Sequence, residues 1–452
     1  MTSTGRSMEL SVATVCRAVW TAETQLALLD WQIDGVSIWP VIRMRVFHEL
    51  SRRSGIHGDP HPVRRGRKAK AKLVTHHLTA LLRQNPFLGR RQYDAVMVPH
   101  HRKIDGKDIY SDAILAGLDG KVLVLDSSIN GSPLPNSRTL DFFTSAANAE
   151  AKVRQKLRIG LSTVDAARAL QAEEELHRLT GIKVPISGLV TRELTKHRRL
   201  RAVYRALFSK TRPGTVYVVV AYFHQHVVAA ARDLGIPVVE LQHGAMSPFH
   251  LGYSYPGRPE VADQPNELWC FGKYWTENVE LPAGMTTRVV GAPFIRRLTE
   301  AEAKAKDPNL VLVASQGTIG SFLLPVAVQL AEKRPELEVV FRLHPSEHLT
   351  DYERTDFPKN FRLSAGPSES TNDLLTAARY QVGVSTTALF EGMVLGCRTV
   401  VVKLPGWEYL GPAIDRGDAL LVEDGDDLVR RLSDAPACRD SSDYYAPGGQ
   451  TA

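Results

Sequence analysis

The 452-residue chain reads as an α/β protein of two doubly wound, Rossmann-like domains with extra helices at its N-terminus, and three observations predict this. Its length exceeds what one hydrophobic core organises, since single cores stop growing at about 250–300 residues. Short runs such as residues 215–223, 237–242 and 309–315 are apolar almost throughout rather than alternating, as strands covered by helices on both faces are. Helical stretches ending in glycine or charge separate most of these runs, the succession that builds a parallel sheet.

The elements follow in order. From Thr24 to Leu50 the pattern is helical, with a break at Gly35 and a restart at Pro40, a residue favoured at a first helical position. Trp31, Trp39 and Phe47 in this region read as core of an acceptor-side scaffold. Residues 64–72, RRGRKAKAK, carry six positive side chains in nine positions, and Val74, Leu78, Leu81 and Leu82 beyond them share a helical face. Two readings fit this run: a solvated linker beside a packed helix, or a peripheral foot on an anionic leaflet, where each cation adds about 1 kcal/mol. Neither a nucleic-acid reader motif nor basic–aromatic interleaving accompanies it, so no nucleic-acid partner is expected.

A strand at Tyr93–Val98 ends in Pro99, His100 and His101, and a second spans Lys121–Asp126. Residues 145–211 are largely helical. The run 215–223 starts a βαβ unit whose helix passes through Asp233 and stops at Gly235 before the strand 237–242. In the second half the runs ELWCFG, TRVVG, NLVLVAS, EVVFRLHP, YQVGVS and RTVVVKLPG repeat that grammar. The domains are expected at 1–280 and 281–433, with a loose tail at 434–452 rich in Ser, Asp, Pro and Gly.

Composition narrows the setting. Cys16, Cys270, Cys397 and Cys438 have no paired spacing of a zinc site or disulfide framework, which fits a reducing compartment. Residues 1–20 hold no apolar core of signal-peptide type, and nowhere do about 18 apolar residues run together as a spanning helix requires. A cytoplasmic protein is expected, with the inner face of the plasma membrane as its place if the basic run binds lipid. The net charge of +7 comes largely from that run.

In doubly wound sheets ligands bind beyond the carboxyl ends of the strands, so polar residues there carry the chemical information. Gln242-His243-Gly244 follows one strand: the imidazole titrates near neutral pH and can take a proton from a sugar hydroxyl, or it can simply bond a neighbouring loop. Ser315, Gln316, Gly317 and Thr318 close a strand and open a helix, where backbone N–H groups suit a phosphate, although a plain cap is the simpler account. His344 is followed by Pro345, which turns the imidazole out of the sheet, aimed to donate to phosphate oxygens. Ser385, Thr386 and Thr387 open another helix with three hydroxyls, more than capping needs, and Glu391 inside it is placed for a ribose diol.

The motifs LQHG, YSYPG, LWCFGKYW, VVGAPF, RLHP and VSTTALFEGMVLG, in this order over about residues 215–405, resemble those of bacterial capsule and lipopolysaccharide transferases of GT-B architecture, including Kdo transferases and the sialyl- and polysialyltransferases. The C-terminal half is also similar to the CDP-glycerol glycerophosphotransferases of teichoic-acid synthesis. The resemblance implies two Rossmann-like domains facing a central cleft. It implies that His344 with Pro345, and Ser385 with Thr386, hold the phosphate of a CMP- or CDP-activated donor. By the polyol-phosphate transferases the base is His243. By the sialyltransferases it is an acid, for which IDGKDIYSD offers Asp105, Asp108 and Asp112.

The expectation is an inverting glycosyltransferase that uses a CMP-activated acidic sugar, Kdo or a related nonulosonate, to extend a capsule or lipopolysaccharide glycan. The acceptor is then a glycan or lipid-linked glycan. No metal or other cofactor is expected, hydroxyls and helix dipoles taking the cation's place. The alternatives are a CDP-polyol phosphotransferase, a nucleotide-sugar epimerase and a non-catalytic binding protein of the same architecture.

Overall fold

The computed structural model describes residues 11–56, 80–89, 92–100, 103, 106–127, 133–300, 305–317, 319–352, 356–366 and 369–447. The basic run 64–72 lies outside them, as do Val74, Leu78, Asp105 and Thr318. Among the described residues no helix is long and apolar enough to cross a membrane.

Two helices, Val12–Gln25 and Ile38–Arg53, open the described chain and flank a small hairpin of β1 (Gln32–Ile33) and β2 (Val36–Ser37). Gly35 stands in the hairpin with φ of +75°, so the expected break is a reversal that favours glycine. The second helix restarts at Ile38, two residues ahead of Pro40. Trp31 and Trp39 are fully buried in the cluster these helices share with Thr163–Thr180 and Ile186–Thr211.

The first sheet comprises β3 (Ala95–Val98), β4 (Val122–Val124), β5 (Thr215–Val219), β6 (Val238–Leu241), β7 (Glu267–Cys270) and β8 (Thr286–Val289). Their order is β4-β3-β5-β6-β7-β8, with every pairing parallel. The long insertion between β4 and β5 forms three helices, Asp141–Leu157, Thr163–Thr180 and Ile186–Thr211.

The second sheet comprises β9 (Asp307–Ala314), β10 (Glu338–Arg342), β11 (Phe361–Ser364), β12 (Ala378–Gly383), β13 (Arg398–Val402) and β14 (Leu420–Val422). Its order is β11-β10-β9-β12-β13-β14, again wholly parallel. That is the doubly wound 3-2-1-4-5-6 order, whose direction reverses between β9 and β12. In the first sheet the reversal falls between β3 and β5. The core strands β9, β12 and β13 are buried on both faces because helices cover each side, which is why their sequences do not alternate.

Two expectations about domain limits need correction. The first sheet continues to Val289, so the changeover falls between β8 and β9 rather than at 280. The segment after 433 is no loose tail over its described part. Tyr444 and Tyr445 are buried in one cluster with Tyr274, Trp275 and Phe390, Trp275 Nε1 donates to Tyr444 O at 2.6 Å, and Ala446 N donates to Phe271 O at 2.8 Å. Small and polar residues suggested a tail, but two tyrosines supply the apolar surface that returns the chain to the first domain.

Candidate functional site

The loops beyond β9, β10 and β12 interlock. Gln316 spans the reversal point: its Oε1 accepts from Ser385 N at 2.8 Å and its Nε2 donates to Ser385 Oγ at 3.0 Å. Glu347, just past His344-Pro345, ties the first two loops, because Oε1 accepts from Ser315 Oγ at 2.9 Å and from Tyr352 OH, and Oε2 accepts from His344 N at 2.6 Å. A Cβ added at Gly317 would run into Ser346 Oγ, and one at Gly320 into Glu347, Tyr352 and Ser315, so the two loops approach closer than a side chain allows.

His344 is half-buried at the centre of this clamp. Ser346 N–H donates to its Nδ1 at 3.2 Å, and Ser346 Oγ lies 2.7 Å from the same atom. A ring nitrogen that accepts a backbone N–H carries no proton, so the proton of the neutral ring sits on Nε2, which is then a donor. Pro345 is exposed and starts the turn that makes this possible, Glu347 N donating to His344 O at 2.9 Å. Thr386 caps the helix Thr387–Val394 by accepting Ala388 N at 3.3 Å. Glu391 lies half-buried in that helix near Tyr445, whose phenol is kept protonated by burial, with the Glu391 charge acting in the same direction.

The loop beyond β6 faces this clamp from the other domain. A Cβ placed on Gly244 would lie 3.6 Å from Thr387 Oγ1, so Gln242-His243-Gly244 and Ser385-Thr386-Thr387 meet across the cleft. Gln242 is buried and structural: Nε2 donates to Gly244 O at 2.8 Å and Oε1 accepts Phe271 N at 2.8 Å. The His243 ring lies near-parallel to His100, with centroids 5.6 Å apart.

At the reversal point of the first sheet, beyond β3, β4 and β5, is a cavity of about 450 Å³, within the range of small-ligand sites. His100, Tyr222, His224 and His243 line it beside Asp126 and Asp141, over an apolar wall that includes Leu125, Leu140 and Phe223. Asp126 pairs with Lys103 and accepts Leu134 N at 2.7 Å, and Asp141 accepts Ser127 Oγ at 2.8 Å. Burial holds His226 neutral, well below the usual imidazole range, with the neighbouring His224 and Lys196 acting in the same direction.

The described aspartates of the acidic stretch are placed differently from His243. Asp108 is fully buried and accepts three donors, His100 N at 2.8 Å, Ser111 Oγ at 2.6 Å and Tyr110 N at 3.1 Å, so it shapes the loop that presents His100. Burial pushes its pKa above the ordinary carboxylate value, and the three donors oppose that rise. Asp112 starts the helix Asp112–Gly117 and lies 3.4 Å from Lys107 Nζ. Among the described residues no group of three or more His, Cys, Asp and Glu side chains is arranged to hold a metal. Asp424 and Asp426, which have the spacing of a DxD pair, cap the helix Gly425–Arg431 and accept from Gln329 Nε2 respectively.

Several site residues escaped the sequence reading: His100, Tyr222, Glu240, Tyr253 and Glu347. Two left a signal. His100 follows a strand end by the same rule that singled out His243, and Glu240 is a carboxylate inside an apolar central strand.

No protein-family model and no curated protein matches the sequence. Solved structures with a similar course of the chain include the spinosyn rhamnosyltransferase SpnG (16% identity, 75% of this chain and 91% of that one, TM-score 0.43). A putative UDP-N-acetylglucosamine 2-epimerase from Listeria monocytogenes aligns at 13% identity over 79% of this chain and 91% of that one, with a TM-score of 0.47. MurG of Acinetobacter baumannii does so at 14% over 75% and 89%, with a TM-score of 0.42. These are distant likenesses of architecture. Two parallel doubly wound sheets whose carboxyl edges oppose one another across a cleft make this chain a protein of GT-B architecture.

Proposed function

We propose that the chain is a glycosyltransferase whose second domain holds a nucleotide-activated sugar and whose first domain holds the hydroxyl that receives it. The observation that carries this reading is the convergence of Ser315–Gly317, His344–Ser346 and Ser385–Thr387 on one clamp, with His243 opposite and a cavity behind it.

The chemistry follows from the residue types. His344 Nε2–H, the hydroxyls of Ser385 to Thr387 and the N-terminus of the helix Thr387–Val394 offer donors to a departing phosphate. The acceptor oxygen, deprotonated by His243, forms its bond to the anomeric carbon as the carbon–oxygen bond to phosphate breaks. With base and clamp on opposite sides of the cleft, one displacement inverts the centre. No step needs a metal.

The finer reading is a CMP-activated acidic sugar, Kdo or a related nonulosonate, transferred to a capsule or lipopolysaccharide acceptor at the inner face of the plasma membrane, with the basic run 64–72 touching anionic lipid. A CDP-polyol in the same clamp would instead be attacked at phosphorus. Incubation with CMP-Kdo, CDP-glycerol and UDP-sugars separates these: release of CMP with a glycosylated product supports the first. His344→Ala is expected to lower turnover at least about 100-fold with an unchanged melting temperature. Full turnover in that variant, or no thermal shift with CMP, CDP or UDP, refutes the clamp.

A further inference from the structure

His243 is held between two phenols. Tyr222 OH lies 3.3 Å from Nε2 and Tyr253 OH 3.3 Å from Nδ1. Tyr253 OH in turn donates to Glu240 Oε1 at 2.9 Å, and that oxygen also receives Ala221 N–H at 2.9 Å. A phenol has one proton. With that proton committed to Glu240, the Tyr253 oxygen can only accept from Nδ1, which places the proton of the neutral ring on Nδ1 and the lone pair on Nε2. His243 and Tyr222 both border the cavity of the first domain, so the lone pair belongs to the side where an acceptor would lie.

We propose that Glu240 and Tyr253 are positioning residues that hold His243 in its Nδ1–H form, so that Nε2 takes the proton of the sugar hydroxyl bound in the cavity. This rests on the transferase reading above. As the acceptor oxygen bonds to the anomeric carbon and the carbon–oxygen bond to phosphate breaks, the hydroxyl proton moves to Nε2. The imidazolium keeps Nδ1–H on Tyr253, and the Glu240 carboxylate beneath offsets its charge. Tyr222, which donates to Nε2 in the resting site through a long contact, is displaced by the substrate hydroxyl.

The surroundings suit this role. Burial keeps the Tyr222 and Tyr253 phenols protonated and pushes the Cys270 thiol near Glu240 up to about 12, so these three neighbours stay neutral. His100 and Tyr110 face the His243 ring from the first domain, and Thr387 faces its loop from the second. Arg43, fixed by Glu23, donates to the carbonyls of Leu251 and Ser254, which grips the loop carrying Tyr253 from the N-terminal helices.

The test uses the full chain labelled with ¹⁵N-histidine, with the His243 signal assigned by its loss in His243→Ala. The unsubstituted protein is expected to show the Nδ1–H pattern and Tyr253→Phe the Nε2–H pattern. Glu240→Gln, which keeps an oxygen for Tyr253, retains Nδ1–H. In turnover, Tyr253→Phe is expected to lower kcat by about 10²–10⁴ with the donor KM within about twofold. Glu240→Gln, which removes the charge that offsets the imidazolium, is expected to lower kcat by less than Tyr253→Phe does and to move the acid limb of kcat/KM to lower pH. An Nε2–H pattern in the unsubstituted protein, or an unchanged pattern and pH profile in Tyr253→Phe, overturns the proposal. Absence of turnover with every donor counts against the transferase reading, and the spectrum then still decides the tautomer.

Discussion

Replacing Arg43 with methionine isolates what the N-terminal helices contribute. Arg43 is 1% exposed, and its guanidinium meets Glu23 through Nε at 2.5 Å and Nη2 at 3.0 Å. It also donates to Leu251 O and to Ser254 O at 2.9 Å, and lies 4.0 Å over the Tyr255 ring. Methionine fills similar volume but leaves the Glu23 carboxylate in the core with Trp39 Nε1, at 2.7 Å, as its remaining side-chain donor. Breaking a buried pair from one side costs about 3–5 kcal/mol. For a domain of 150–250 residues each kcal/mol lowers the melting temperature by about 2–4 °C, so a fall of about 6–20 °C is expected. Thermal unfolding followed by near-ultraviolet circular dichroism measures it. Combining Arg43→Met with Glu23→Leu removes both charges, and the double variant should melt above either single one. A single-variant shift under about 2 °C, or a double variant less stable than both singles, refutes the reasoning.

The remaining predictions concern the clamp, a buried acid and the C-terminal strap. Gly317→Ala is expected to abolish the thermal shift given by nucleotide while changing the ligand-free melting temperature little, because its Cβ displaces the Ser346 turn that orients His344; calorimetric titration with CMP checks it. Burial raises Glu240 to about 7, so the folded state binds a proton that the unfolded state has released between about pH 4.5 and 7. Its contribution therefore falls as pH rises through that window, and the stability of Glu240→Gln relative to the unsubstituted chain should climb from about pH 4.5 to 7 and level off above, as denaturant melts at several pH values would show. His197 and His250, held by burial at about 4, act oppositely, their neutral folded forms losing stability as pH falls from about 6.5 to 4. Tyr444→Ala is expected to cost about 3–5 kcal/mol by emptying the contact with Tyr274 and Phe390. A chain ending at residue 433 should show Trp275 fluorescence shifted to the red.

How much of this was legible in the residues differs from element to element. The central strands were, because a strand covered on both faces must be apolar throughout, as LVLVA and RTVVV are. The edge strands β11 and β14 were not, since Phe361–Ser364 is interrupted by Arg362 and Ser364, and Leu420–Val422 is three residues, too short to show a period. The strand-end rule singled out His243, Ser315, His344 and Ser385 as candidates, which need only local order to be noticed. Glu347 lies within a turn whose composition says nothing and Tyr253 opens the YSYPG motif without a strand end to mark it, and their contacts are with partners 32 and 13 residues away in the chain.

The sequence by itself determined the α/β class, the parallel strands and which residues stand at their carboxyl ends, because burial on both faces and turn chemistry are written locally. Only the tertiary structure decided the strand order, and with it the two reversal points where β9 meets β12 and β3 meets β5. Strand order is set by how helices pack between sheets and by long loops closing, contacts with no local signature. Through that order Gln316 reaches Ser385, 69 residues on, and Gly244 comes against Thr387.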